Sequence, residues 1–95
     1  MNITLTARHF KATEKLQDYV QKEIRTLEKY FDRITDCEVI LSYQKLVKEV
    51  ELVLNVPQET LKVKAESDDF QKSVDQAVLK MERQLTKYKD KLRKK

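Results

Sequence analysis

The sequence predicts an α+β fold: a two-layer sandwich of order β-α-β-β-β-α, with a four-stranded sheet and both helices on one face. Three observations carry this. Two long segments each show a single apolar stripe at helical spacing, four short segments alternate apolar with polar residues, and the connections between them are short. A sheet with one apolar face and two helices with one stripe each bury all three surfaces most economically by stacking both helices on that face. Ninety-five residues make one domain, spanning 1–95, that buries roughly 60–65% of its unfolded surface. Such a core leaves little room for an enclosed active site.

Ile3, Leu5 and Ala7 alternate with Thr4 and Thr6, which predicts a short half-buried strand. Thr13 is placed to cap a helix of about five turns. Its stripe runs Leu16, Val20, Ile24, Leu27 and Phe31, flanked by Tyr19 and Tyr30, and Asp32-Arg33 reads as its exit. Three alternating segments follow. Their apolar faces are Cys37, Val39, Leu41 and Tyr43, then Val50, Leu52, Leu54 and Val56, then Leu61, Val63 and Ala65. The residues between them, among them Glu38, Glu49, Glu51, Lys62 and Lys64, are polar, so one sheet face is wet, as antiparallel neighbours allow. Gln44-Lys45-Leu46 and Asn55-Val56-Pro57-Gln58-Glu59 are the connections. The chain has no glycine, which excludes Gly-rich phosphate loops and assigns positive-φ turns to residues such as Asn55 and Asp32. Asp68 is placed to cap the second helix, with Gln71 as capping-box partner. Its stripe is Phe70, Val74, Ala77, Val78, Met81, Leu85, Tyr88 and Leu92.

Charge is unevenly distributed. The formal net charge is +4, but residues 79–95 hold eight basic and two acidic side chains, a sum of +6, so the rest of the chain totals −2. At about 100° per residue, Lys80, Arg83, Lys87, Lys91 and Lys94 share an arc of about 80° roughly opposite the apolar stripe. In the first helix Lys15, Lys22, Arg25, Lys29 and Arg33 share a similar arc. Solvated lysine faces are common, but two coincident arcs on neighbouring helices predict one merged basic surface for a polyanion, with a comparatively acidic sheet face behind it. We take Lys22, Arg25, Lys29, Lys80, Arg83, Lys87 and Lys91 as candidate RNA-binding residues. A helix pair without an arm, a zinc pattern or an exposed aromatic platform suits phosphate geometry better than base readout, which favours structured RNA over DNA.

Other chemistry finds little support. His9 is the lone histidine and Cys37 the lone cysteine, so there is no His pair for zinc and no obvious Cys-His couple for catalysis. Cys37 shares the inward face with Val39 and reads as a small buried residue. His9, with Arg8 and Lys11, lies in a loop able to meet phosphate. Asp68 and Asp69 suit a helix N-terminus better than a metal. No cofactor and no small-molecule substrate is expected. No apolar run reaches the roughly 18 residues of a membrane span, and Met1-Asn2-Ile3-Thr4 lacks a signal-peptide pattern, so a cytoplasmic location is expected.

Several segments together resemble the ribosome hibernation promoting factors. They are "MNITLTARHFKATEKLQDYV" at the start, "YFDRI" at 30–34, "AESDDFQKSVDQAV" at 65–78 and "ERQLTKYKDKL" at 82–92. The resemblance covers essentially the whole chain and is similar to the short form of that family. It implies a fold reminiscent of double-stranded-RNA-binding domains, seated on the small ribosomal subunit and its rRNA in the channel of messenger RNA and tRNA. There it silences translation under stress or in stationary phase, without catalysis. It also implies inactive ribosome dimers formed with a separate ribosome modulation factor. The alternative is a generic structured-RNA-binding regulator, and a third is a protein-binding adaptor. Two departures stand out: Val56-Pro57-Gln58-Glu59 replaces a turn that often carries glycine, and Tyr88 stands where histidine is common.

Overall fold

A computed structural model describes residues 1–93. The elements are β1 (Asn2–Ala7), α1 (Glu14–Arg25), a 3₁₀ turn (Thr26–Lys29), β2 (Asp36–Gln44), β3 (Val47–Val56), β4 (Glu59–Ser67) and α2 (Phe70–Arg93). The sheet order is β1-β2-β3-β4. β1 pairs parallel with β2 across the α1 crossover, and the other two pairings are antiparallel hairpins. The predicted fold is the observed one.

Register explains the layering. Ile3, Cys37, Leu54 and Leu61 are cross-strand neighbours in one row, Leu5, Val39, Leu52 and Val63 in a second, and Ala7, Leu41, Val50 and Ala65 in a third. A one-residue slip in any strand would turn its apolar set to water. These rows meet Val20, Ile24 and Leu27 from the first helical segment and Val74, Ala77, Met81 and Leu85 from α2 in one continuous core. Both helices therefore share one face.

α1 is shorter than its stripe predicts. Thr13 caps it, its hydroxyl accepting from the Leu16 amide at 3.1 Å, but α-geometry ends at Arg25 and tightens into the 3₁₀ turn. Thr26 returns its hydroxyl to the Glu23 carbonyl at 2.6 Å, the kind of side-chain bond that competes at helix ends. The cap of α2 also differs from expectation. Asp69 receives the Lys72 amide at 3.1 Å, while Asp68 forms an exposed ion pair with the Lys72 ammonium at 3.3 Å. The cap is one residue later because the first helical residue is Phe70, whose ring stacks on Phe10 with centroids 5.3 Å apart.

Positive φ falls on His9 (65°), Lys45 (57°) and Gln58 (68°), and not on Asn55 or Asp32. Strand register decides this. Asn55 lies within β3, donating to Asp36 and accepting from Thr60. The two-residue loops must then be Lys45-Leu46 and Pro57-Gln58. Proline's fixed φ suits the first central position of a type II turn, which leaves the left-handed position to Gln58. Tyr88 closes over this turn. It is buried, its hydroxyl donates to the Pro57 carbonyl at 2.7 Å, and its ring meets Phe31 edge-on. At the other end of α2, buried Ser73 donates to the Lys48 carbonyl at 2.7 Å. The β3–β4 hairpin is thus pinned to α2 at both ends.

Cys37 is 1% exposed. Burial, with the Asp36 and Glu38 carboxylates adding, pushes its thiol up to about 12. The thiolate is the reactive form, so a disulfide reagent at pH 8 is expected to leave the native protein unmodified and to label one equivalent in denaturant. Stoichiometric labelling of the native protein would contradict this burial.

Candidate nucleic-acid interface

The helix layer is built from the sheet outward. Since Leu85, Met81 and Ala77 point into the core, helical geometry turns Lys80, Arg83, Lys87 and Lys91 outward. Likewise Ile24 and Val20 turn Lys22 and Arg25 outward, with Lys29 on the 3₁₀ turn beyond. All seven candidate residues are exposed. Lys94 and Lys95 lie outside the described residues.

The two arcs do not merge into one continuous basic face. The seam between the helices is polar and acidic: Tyr19 donates to the Asp75 carboxylate at 2.5 Å, and Tyr30 donates to Glu82 at 3.0 Å. On α2, Asp75 and Glu82 lie about 80–100° around the helix from Arg83, so the α2 arc leans away from α1. The Asp75 bond, with burial and nearby carboxylates adding, pushes the Tyr19 phenol up to about 12. The Glu82 bond, chiefly, raises Tyr30. Raised phenol values mean that these links contribute below pH 10 and are lost as pH climbs through the folded-state value, so at neutral pH the seam is intact.

Turned from α1, the α2 arc meets the free edge of the sheet. Lys80, Arg83, Gln84 and Lys87 line a concave cleft of about 330 Å³ with Lys62, Val63 and Lys64 of β4. The Lys80 ammonium donates to the Lys64 carbonyl at 2.6 Å, which caps an edge carbonyl and ties the helix to the strand. Five cationic side chains therefore converge on one cleft. Sequence periodicity assigns Lys62 and Lys64 to the opposite, outer face and misses this. The signal lies in the topology, because β4 is an edge strand and its outward lysines are long enough to curl round the edge.

Ion pairing sorts the candidates. Arg25 approaches Glu28 at 3.8 Å and Lys91 approaches Glu59 at 3.7 Å, both exposed and each weak in water. Among the described residues, Lys22, Lys29, Arg83 and Lys87 have no carboxylate within ion-pair distance. Unneutralised cations at fixed positions on rigid helices can exchange counterions for phosphates without first breaking a protein contact. The structure brings together Lys80, Arg83 and Lys87 with Lys62 and Lys64, and holds Lys22, Arg25 and Lys29 as a second patch across the seam.

Comparison with known proteins agrees with this fold along its length. A ribosome hibernation promoting factor of Escherichia coli is 34% identical over 93 residues, 98% of each chain. One from Pseudomonas putida is 34% identical over 91 residues, covering 96% of this chain and 89% of its own. Among solved structures, a ribosomal subunit interface protein from Coxiella burnetii superposes with a TM-score of 0.90 at 32% identity, covering 95% of this chain and 99% of its own. The N-terminal domain of Thermus thermophilus Protein Y gives 0.84 at 29% identity, covering 93% and 99%. The profile described as Sigma 54 modulation protein / S30EA ribosomal protein matches residues 3–93, the whole sandwich from β1 to the end of α2, and the chain belongs to that family.

Proposed function

We propose that this protein is a ribosome hibernation factor. It binds the small ribosomal subunit in the messenger RNA and tRNA channel and silences translation by occupancy under stress or in stationary phase, in the cytoplasm. The observation that carries the reading is the set of fixed, unneutralised cations on the helical face, Lys22, Lys29, Arg83 and Lys87, with Lys80 anchored beside them. Rigid cations at fixed positions on the helices match the phosphate backbone of folded rRNA. Arg25 and Lys91 join them, since exposed ion pairs as weak as theirs yield readily to a phosphate. Occupancy requires positioning only, so no cofactor, metal or small-molecule substrate enters the mechanism. With a separate ribosome modulation factor the bound state favours inactive ribosome dimers.

Competition on isolated small subunits tests this. The protein is expected to co-sediment with them, to be displaced by messenger RNA with tRNA, and to inhibit translation in vitro without nucleotide consumption or RNA cleavage. Binding that survives saturating messenger RNA and tRNA, with equal affinity for unrelated structured RNA, would favour a generic RNA-binding regulator. Sucrose-gradient profiles of stationary-phase cells with and without the protein test the dimer part.

A further inference from the structure

The two edges of the sheet are unlike each other. β4 is guarded: Lys62, Lys64 and Glu66 alternate along it, and the Lys80 ammonium occupies the Lys64 carbonyl. Charge and cover of this kind keep an edge strand from pairing with another chain. β1, at the opposite edge, has neither. Its residues, Asn2-Ile3-Thr4-Leu5-Thr6-Ala7, include no charge and no proline, and its register with β2 runs without a bulge.

The parallel ladder fixes which backbone groups of β1 are free. The Asn2 amide donates to the Thr35 carbonyl and the Arg8 amide to the Leu41 carbonyl. Backbone groups alternate in direction along a strand, so the even-numbered residues face β2. Ile3, Leu5 and Ala7 therefore aim both N–H and C=O outward, and among the described residues no strand takes them up. The same three residues carry the apolar side chains of β1. They are only half-buried, whereas their β2 neighbours Cys37, Val39 and Leu41 are buried. The helix layer stops short of this edge.

We propose that β1 pairs antiparallel with β1 of a second copy of this chain, joining the two four-stranded sheets into one. With Leu5 opposite Leu5 on the twofold axis, Ile3 faces Ala7 of the second copy and Thr4 faces Thr6. This register satisfies hydrogen bonding and pleat together. The residues with outward backbone groups oppose one another, giving about six new hydrogen bonds. Their apolar side chains close one row on the helix-covered face. A second copy is the fitting occupant because β1 is its own complement in this register and sets no like charges in opposition. The helices add charge complementarity. Both copies of α1 lie on the same side of the joined sheet, and the flank turned from Tyr19 toward this edge carries Glu14 and Arg25. Antiparallel repetition brings the acidic first turn of one α1 toward the basic last turn of the other. The cleft at β4 lies at the far edge, so Lys80, Arg83 and Lys87 stay exposed in the dimer.

Sedimentation equilibrium of the full chain from micromolar to millimolar concentration, with amide hydrogen exchange at both ends of that range, tests the assignment. A monomer–dimer equilibrium is expected. The Ile3, Leu5 and Ala7 amides should gain protection with concentration, while β2 protects Thr4 and Thr6 throughout. Thr4→Lys together with Thr6→Lys sets lysine against lysine at both cross-strand pairs and should weaken the dimer about 2- to 30-fold. Thr4→Lys together with Thr6→Glu opposes unlike charges in the same register and should match or exceed the parental affinity. Both positions are exposed, so either pair of changes leaves the core intact. A chain that stays monomeric at millimolar concentration would overturn the proposal. So would a dimer whose Ile3, Leu5 and Ala7 amides remain unprotected, or one whose affinity is the same in the two variants, since each places the contact elsewhere.

Discussion

Replacing Lys80, Arg83 and Lys87 together by alanine is expected to weaken binding to the small subunit by a factor on the order of 100 or more at about 0.1 M salt. Hydrogen bonds to charged groups contribute about 1.5–3 kcal/mol each, and the three share one cleft. The signature that separates lost phosphate contacts from general damage is the salt dependence. About six to eight contacts across both helices give a log–log slope on the order of −4 to −7, and the triple change should flatten it by about two to three units. Arg83 carries the largest single share, because a guanidinium binds phosphate through two parallel hydrogen bonds. Lys62→Ala with Lys64→Ala should act in the same direction, since both residues line this cleft. The proper control lies on the outer sheet face, where Glu38 is exposed. Glu38→Gln should leave the slope unchanged. A triple variant that keeps the parental slope would show that the helical face is not the binding surface.

Leu85→Ala is expected to destabilise the domain by about 2–5 kcal/mol, and Leu27→Ala by a similar amount. Both residues are fully buried, one in the middle of α2 and one in the 3₁₀ turn where the first helical segment closes over the core. The whole domain is stable by only about 5–15 kcal/mol, so either change removes a large fraction of it. Urea denaturation with an unchanged slope and a lowered midpoint is the expected reading. A loss below about 1 kcal/mol would mean that these positions are not packed as the rows of the sheet and the two helices require.

Local periodicity was enough for the elements and for the core. The alternation of Val39 with Leu41, or of Leu52 with Leu54, reports a face of a strand whichever neighbour it pairs with. The stripe through Val74, Met81 and Leu85 reports a helix face in the same way. Where prediction and structure part, the deciding contact comes from a distant segment. Asp68 and Asp69 are equally good caps in isolation, and the choice of Asp69 follows from where α2 begins beside Phe10. Asn55 is a natural turn residue, but pairing with Asp36 and Thr60 holds it in β3, and the strained positions pass to Lys45 and Gln58. Lys62 and Lys64 read as outer-face residues until β4 is known to be the edge of the sheet.

By itself, then, the amino-acid sequence determined the β-α-β-β-β-α order, the single apolar face of each element and the outward cations of each helix, because these depend on covalent spacing and on backbone periods of 2 and about 3.6 residues. Only the tertiary structure decided how those cations are grouped. The lateral placement of α2 turns Asp75 and Glu82 toward Tyr19 and Tyr30, which divides the basic surface. The same placement brings Lys80, Arg83 and Lys87 beside Lys62 and Lys64. Side-chain periodicity specifies which face of an element is wet. It carries no information about which wet faces become neighbours, since that is set by packing among residues far apart in the chain.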